Sequence, residues 1–331
     1  MSLPKPLPKF PETTLEDVLD ITPIPGNSTL YKANIPRDWC SIWAAFGGIS
    51  AGLIHAAARL YSQTHHPKNP QPDPLNSHVQ FLHPVPPGAV RLSLVSLKSG
   101  SRVSVVQVSL QVSTKSKNPS PNQHQSEEWR TCVLGIITQG NLSIERGLSI
   151  PIPLPFPKDQ IPDRKKECVV GEHPRWYIDA APMIAKFETW MPKFGDEEKV
   201  EAYGNPRFGR ETREIWLRRR DGKSWDVLSL GLLCDYFDGA PGNFSPDRLD
   251  TKANIWYPTL CLTTEIKSDP KGKKWLYLRA RAGTIKNGRF DTLVWVLDEE
   301  RELMAIAKHV TVATEGKFAG KVEEMKSVYK L

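Results

Sequence analysis

Apolar and polar positions along the chain alternate in two successive blocks of the same form. In the first, Gly47 to Tyr61 carries Ile49, Leu53, Ala56 and Leu60 at helical spacing, which predicts a helix. Gly48, Ala51, Gly52 and Ala57 keep that helix thin, so neighbours can approach it closely. Pro67, Pro70, Pro72 and Pro74 then force a loop. Strand patterns follow at His78–His83, Val90–Leu97, 106–112 and Thr131–Thr138. In the third of these, Val106, Val108, Leu110 and Val112 alternate with polar residues, giving one dry face.

The second block repeats the order. Glu211 to Arg220 reads as a strand closed by Asp221-Gly222. Ser224 to Gly239 reads as a helix, with Leu228, Leu232 and Asp235 on one stripe. Strands follow at Pro258–Ile266, Lys274–Ala282, Phe290–Leu297 and Leu303–Val312, with Asn287-Gly288 as a hairpin turn. Between the blocks, Pro151 to Glu172 is rich in proline and charge and reads as a linker. Lys115 to Glu128 reads as a polar insertion within a hairpin. An antiparallel sheet dry on one face, covered by a single helix, is the simplest α+β solution for each block. Two such sheets paired edge to edge would hide their edges.

Asp235 breaks the apolar stripe. A carboxylate among leucines loses water and needs partners, and the C-terminal end of a helix disfavours its charge. Either Asp235 is a desolvated candidate base, or the helix rolls and leaves it a solvated surface acid.

Composition narrows the function classes. The chain has 331 residues, 39% apolar and 24% charged, as expected for a globular protein of one large or two ordinary domains. No run approaches a membrane span, and the proline-rich N-terminus has no apolar signal core. An intracellular, cytoplasmic location is therefore expected. The Asn-x-Ser/Thr matches at Asn27, Asn141 and Asn243 are then expected to be unused. Cys40, Cys132, Cys168, Cys234 and Cys261 show no C-x-x-C or zinc spacing. A reduced compartment and no metal or other cofactor are expected, with Cys132, Cys234 and Cys261 as small core residues. The net charge of +7 gathers at Arg218–Arg220, Arg164–Lys166 and 271–274. These clusters suit solvated loops or the steering of an anionic ligand. Nucleic-acid motifs do not accompany them.

The order of helix within curved sheet, twice, resembles the double hotdog fold, and more closely the acyl-CoA thioesterase II type of the thioesterase-like superfamily. The resemblance rests on Thr14-Leu-Glu-Asp-Val-Leu, the strand near Tyr31, Phe46-Gly47-Gly48 before a small-residue helix, and His78-Val-Gln-Phe-Leu-His-Pro84. Ser99-Gly100 before a long alternating strand also fits. It implies an N-terminal hotdog over 1–150, a linker over 151–172 and a C-terminal hotdog over 173–331. It also implies an acyl-CoA or acyl-carrier substrate. Oligomeric state stays open between monomer and homodimer. The C-terminal Tyr329-Lys330-Leu331 is a poor version of the peroxisomal Ser-Lys-Leu address.

The family's site holds a water with an Asp on the second helix, a Thr on the following strand and a Gln on the last strand. The resemblance places these on Asp235, Thr259 and His309. His309 is a departure from Gln, and Cys261 stands where the family has an acid. It also makes Gly47 or Gly48 a backbone donor to the thioester oxygen. The first helix has no acid between Phe46 and Tyr61, so one site rather than two is expected. His309 can carry a proton near neutral pH, which opens dehydration, isomerisation or cyclisation as alternatives to hydrolysis. A non-catalytic acyl- or ligand-binding protein is a third reading. His78 is a candidate to face the site from the first half, and Tyr236, Trp256 and Tyr257 are candidates to line an acyl pocket. Each of these, like His309 and Thr259, also suits an ordinary core or strand position.

Overall fold

A computed structural model describes residues 13–41, 43–114, 128–173, 175–193, 209–237 and 255–315. Thirteen strands form one antiparallel sheet. In chain order they are β1 (Thr22–Ile24), β2 (Asn27–Ile35), β3 (Asp73–Phe81), β4 (Gly88–Lys98), β5 (Ser104–Thr114), β6 (Glu128–Gly140) and β7 (Cys168–Val170). They continue with β8 (Phe187–Pro192), β9 (Thr212–Arg219), β10 (Thr259–Ile266), β11 (Trp275–Ala282), β12 (Arg289–Leu297) and β13 (Leu303–Val312). The spatial order is β1-β2-β4-β5-β6-β3-β10-β13-β12-β11-β9-β8-β7. Read outward from the β3–β10 seam, the two halves have the same connectivity, with β7 as an additional edge strand on the second. This is the double hotdog architecture, with its two sheets fused along that seam.

The seam is sealed by side chains as well as backbone. Ser77 Oγ lies 2.6 Å from Thr264 Oγ1, and His55 Nε2 lies 2.9 Å from Ser77 Oγ. Asn76 Nδ2 donates to Thr264 O at 2.9 Å. Burial pushes the His55 imidazole down to about 4, so it sits neutral in this network.

Helix α1 (Leu15–Leu19) opens with a capping box between Thr14 and Asp17. Helix α2 (Gly47–His65) extends one turn beyond the sequence expectation and is buried continuously from Gly48 to Ala58. It is therefore a central helix rather than an amphipathic one. The second helix differs more. Instead of running from Ser224 to Gly239, regular α-helix among the described residues of that segment covers only α3 (Ser229–Leu233). Asp226 Oδ1 accepts from the Ser229 N–H at 2.8 Å and holds the preceding residues in a turn. The chain leaves α3 through bonds of 3₁₀ type, Asp235 N to Leu232 O and Tyr236 N to Leu233 O. Gly231 in the middle lowers helix propensity further.

Segment 151–172 was expected as a linker, but it is also packed. It ends in β7, and Phe156, Ile161 and Cys168 join Trp216, Trp275, Tyr277 and Trp295 in a cluster on the outer face of the second half. Alternate proline and apolar residues let a chain without helix or long strand cover aromatic surface. Cys132 and Cys234 are buried as expected, whereas Cys261 is only half-buried. The insertion 115–127, Pro241, Pro246 and the C-terminal tripeptide lie outside the described residues. Among the described residues no helix is long and apolar enough to cross a membrane.

Candidate active site

The site lies where α2 of the first half meets α3 of the second. The two helices touch backbone to backbone. A Cβ on Gly48 would stand 2.8 Å from both the Cα and the carbonyl oxygen of Leu232, so only glycine permits this approach. A Cβ on Gly47 would stand 2.6 Å from Asp235 Oδ2. The close approach brings the N-terminal end of α2, with its outward-facing amides, against the Asp235 carboxylate at the exit of α3.

Asp235 is 7% exposed, which settles the choice between buried and solvated acid in favour of burial. Desolvation raises its pKa to about 7, against hydrogen bonds from the Gly48 N–H and the Thr259 hydroxyl that favour the charged form. Thr259 reaches it because of a β-bulge. The ladder between β10 and β13 pairs Thr259 with Thr311 and Cys261 with Val310, two residues against one. That irregularity turns Thr259 to the face that Leu262 and Thr264 share, where strict alternation would have put Leu260. Leu260 is instead exposed, and its carbonyl accepts from Gln80 Nε2 at 2.9 Å.

His309 enters from β13, opposite Leu262. Its Nδ1 is 3.3 Å from Asp235 Oδ1, and its Nε2 is 2.5 Å from the carbonyl oxygen of Cys234. A carbonyl only accepts, so Nε2 carries a hydrogen. In neutral imidazole the lone pair then sits on Nδ1 and faces the carboxylate. Two lone pairs at that distance repel, so the resting pair holds one proton between them. Burial lowers the His309 imidazole to about 4, which leaves that proton on Asp235.

Asp235, Thr259, His309, Gly47 and Gly48 are therefore brought together. Gly48 donates to Asp235, so of the two glycines expected as donors to a thioester oxygen, Gly47 is the one without an assigned acceptor among the described residues. His78 is not at the site. Ser77 and Val79 point inward, so period two sends His78 to the outer face, where its Nδ1 is 2.9 Å from Thr263 Oγ1. Tyr236 turns its ring edge-on to Phe187 in the core, at 5.5 Å between centroids. Tyr257 packs on Phe290 with Ala282 and Ala313, in a cluster apart from the core around Leu232 and Cys234. The Trp256 side chain lies outside the described residues.

Two contributors escaped the sequence reading. Phe81 stands 3.3 Å from a Cβ placed on Gly47 and forms an aromatic wall beside the carboxylate. The signal was available, since Phe81 shares the parity of Val79. The Cys234 carbonyl, which sets the His309 tautomer, has no sequence signal because any residue supplies a carbonyl.

The comparisons bear on the family and the fold. Residues 35–140 match the family model for the acyl-CoA thioesterase N-terminal domain, and 172–313 match that for the acyl-CoA thioesterase C-terminal domain. A thioesterase-like protein, TwmA, from Talaromyces wortmannii is 24% identical over 92% of this chain and 91% of its own length. A putative thioesterase II from Thermobifida fusca superposes with a TM-score of 0.67 at 16% identity, covering 92% of this chain and 98% of that one. Acyl-CoA thioesterase II TesB2 from Mycobacterium marinum gives 0.59 at 14% identity, over 92% and 99%. With both halves matched in order and the whole architecture shared, the chain belongs to the acyl-CoA thioesterase family of double hotdog proteins.

Proposed function

We propose that this protein hydrolyses acyl thioesters, of CoA or of a carrier, using a water held by Asp235 and Thr259. The observation that carries the reading is the buried Asp235 carboxylate, ringed by the Gly48 N–H, the Thr259 hydroxyl and His309. Once Asp235 ionises, at about pH 7, it accepts a proton from water as the water oxygen attacks the thioester carbonyl carbon. Thr259 orients that water. The oxyanion that develops is stabilised by the Gly47 N–H at the positive end of α2. The C–S bond then breaks, and the departing thiolate takes the proton back from Asp235. His309, neutral and fixed by Cys234, accepts a hydrogen bond from protonated Asp235 and so holds the proton until it is returned. An acyl-CoA panel assayed for free thiol tests this. Release that disappears in Asp235→Asn supports it; absence of release across the panel overturns it.

The shared proton also favours a second reading. A pair that rests with one proton has both an acid and a base ready. That is the requirement for dehydration or isomerisation of a β-hydroxy or enoyl thioester, or for cyclisation. Product from a β-hydroxyacyl thioester without thiol release would select it.

A further inference from the structure

A cavity of about 320 Å³ opens on the outer face of the second half and is walled by Lys286, Arg289, Phe290, Asp291, Lys308 and Val310. Its charge is unbalanced. Lys308 Nζ has Asp291 Oδ2 at 3.7 Å, whereas Lys286 and Arg289 have no ion-pair partner among the described residues. These last two are also placed against each other. Asn287 and Gly288 take φ of 51° and 75°, a two-residue hairpin turn, and Lys286 and Arg289 exchange both backbone hydrogen bonds across it. Like charges directly opposite on a ladder destabilise it. An anion between them would remove that cost.

The cavity is tied to the site by the strands themselves. Lys308 and Val310 flank His309, so they point to the opposite face of the same strand. Phe290 links the two: paired with Thr311, it lies on the face that carries His309. It walls the cavity, and it stands in one ladder row with Thr311 and Thr259. Two inter-strand steps put the Phe290 backbone roughly 10 Å from that of Thr259.

We propose that this cavity binds the phosphate-bearing nucleotide of acyl-CoA, with the pantetheine arm passing Phe290 around the strand ends to Asp235. The proposal rests on the thioester reading above and names CoA as the carrier. The cavity's size favours a nucleotide over a carrier protein, which would dock on a broad surface. A planar guanidinium beside two ammonium groups suits phosphate recognition.

The test compares wild type with Lys286→Glu/Arg289→Glu, and with the milder Lys286→Gln/Arg289→Gln, by calorimetric titration of CoA and of pantetheine. CoA affinity falling about tenfold or more in both variants, with pantetheine affinity unchanged, is the expected result. Thiol release should then show KM raised for acyl-CoA and unchanged for acyl-pantetheine. Equal CoA affinity in all three proteins overturns the proposal. So does a KM raised for an acyl-carrier protein alone, which would assign the cavity to the carrier's acidic surface. CoA binding lost in the variants while no thioester is hydrolysed would sustain the cavity and sink the hydrolytic reading, so the two failures are separable.

Discussion

The two halves share a fold and differ in what their inner surfaces carry. On β6 of the first half, the inward residues at mid-strand are Val133, Gly135 and Ile137. On β13 of the second, Ala305 and Ala307 lead to His309 and Thr311. Helix α2 runs 19 residues without an acid, whereas α3 stops after five and delivers Asp235 at its exit. The first half is not idle, however. It supplies the helix N-terminus that meets the carboxylate. The duplication thus divides the labour: one copy gives a long, glycine-faced helix and its dipole, and the other gives the side chains that the proposed reaction would use to move protons.

Changes on the second-half side should have the largest effect on chemistry. Asp235→Asn is expected to lower kcat/KM by about 10²–10⁴-fold in thiol release. It should also reverse a stability trend. The folded-state pKa of Asp235 is raised from 3.8 to about 7. Its stabilising contribution is complete below the unfolded value and is lost as pH rises through the folded one. The depressed values of His55 and His309 act in the opposite sense, gaining stability between about 4 and 6.5. The difference in Tm between Asp235→Asn and wild type isolates the aspartate; it should shift in favour of the variant as pH rises from about 4 to about 7 and level off above that.

The first-half contribution is tested by Gly48→Ala. The added methyl meets Leu232 backbone, so the helices must separate. Destabilisation of about 1–3 kcal/mol is expected from denaturant melts, with activity reduced about 10²-fold because the Gly48 amide shifts. Gly26→Ala, at an open turn, should cost much less and only through its positive φ. A smaller change sharpens the proton argument. His309→Gln replaces the Nδ1 acceptor with an amide. Activity is expected to persist with a lower acidic midpoint, since the amide can donate to ionised Asp235 where Nδ1 of the fixed tautomer cannot; an unchanged midpoint would remove His309 from the pair. The smallest effect belongs to His78→Ala. On the outer face it should shift stability by no more than about 0.5 kcal/mol and leave kcat/KM unaltered.

The long, periodic elements were legible in the sequence. Strands such as Leu303–Val312 and the Asn287-Gly288 turn follow from alternation and turn chemistry alone. Asp235 was legible because it contradicts its surroundings. The short α3 was not, since Asp226 and Ser229 spend helix-compatible residues on a local turn. His78 was misplaced because its residue type drew more weight than the parity of Val79. Thr259 faces the site only through a bulge, which no pattern in the sequence marks; the family resemblance supplied it instead. The packing of 151–172 was hidden because proline-interrupted segments carry no period.

The most direct measurement of the central claim is the pH dependence of kcat/KM for thiol release, taken from about pH 5 to about pH 9. A buried Asp235 that shares its proton with His309 predicts a rate that climbs with pH around a midpoint near 7 and a featureless residual rate in Asp235→Asn. A wild-type profile already at its plateau at pH 5, or an Asp235→Asn variant that keeps both rate and profile, would contradict it.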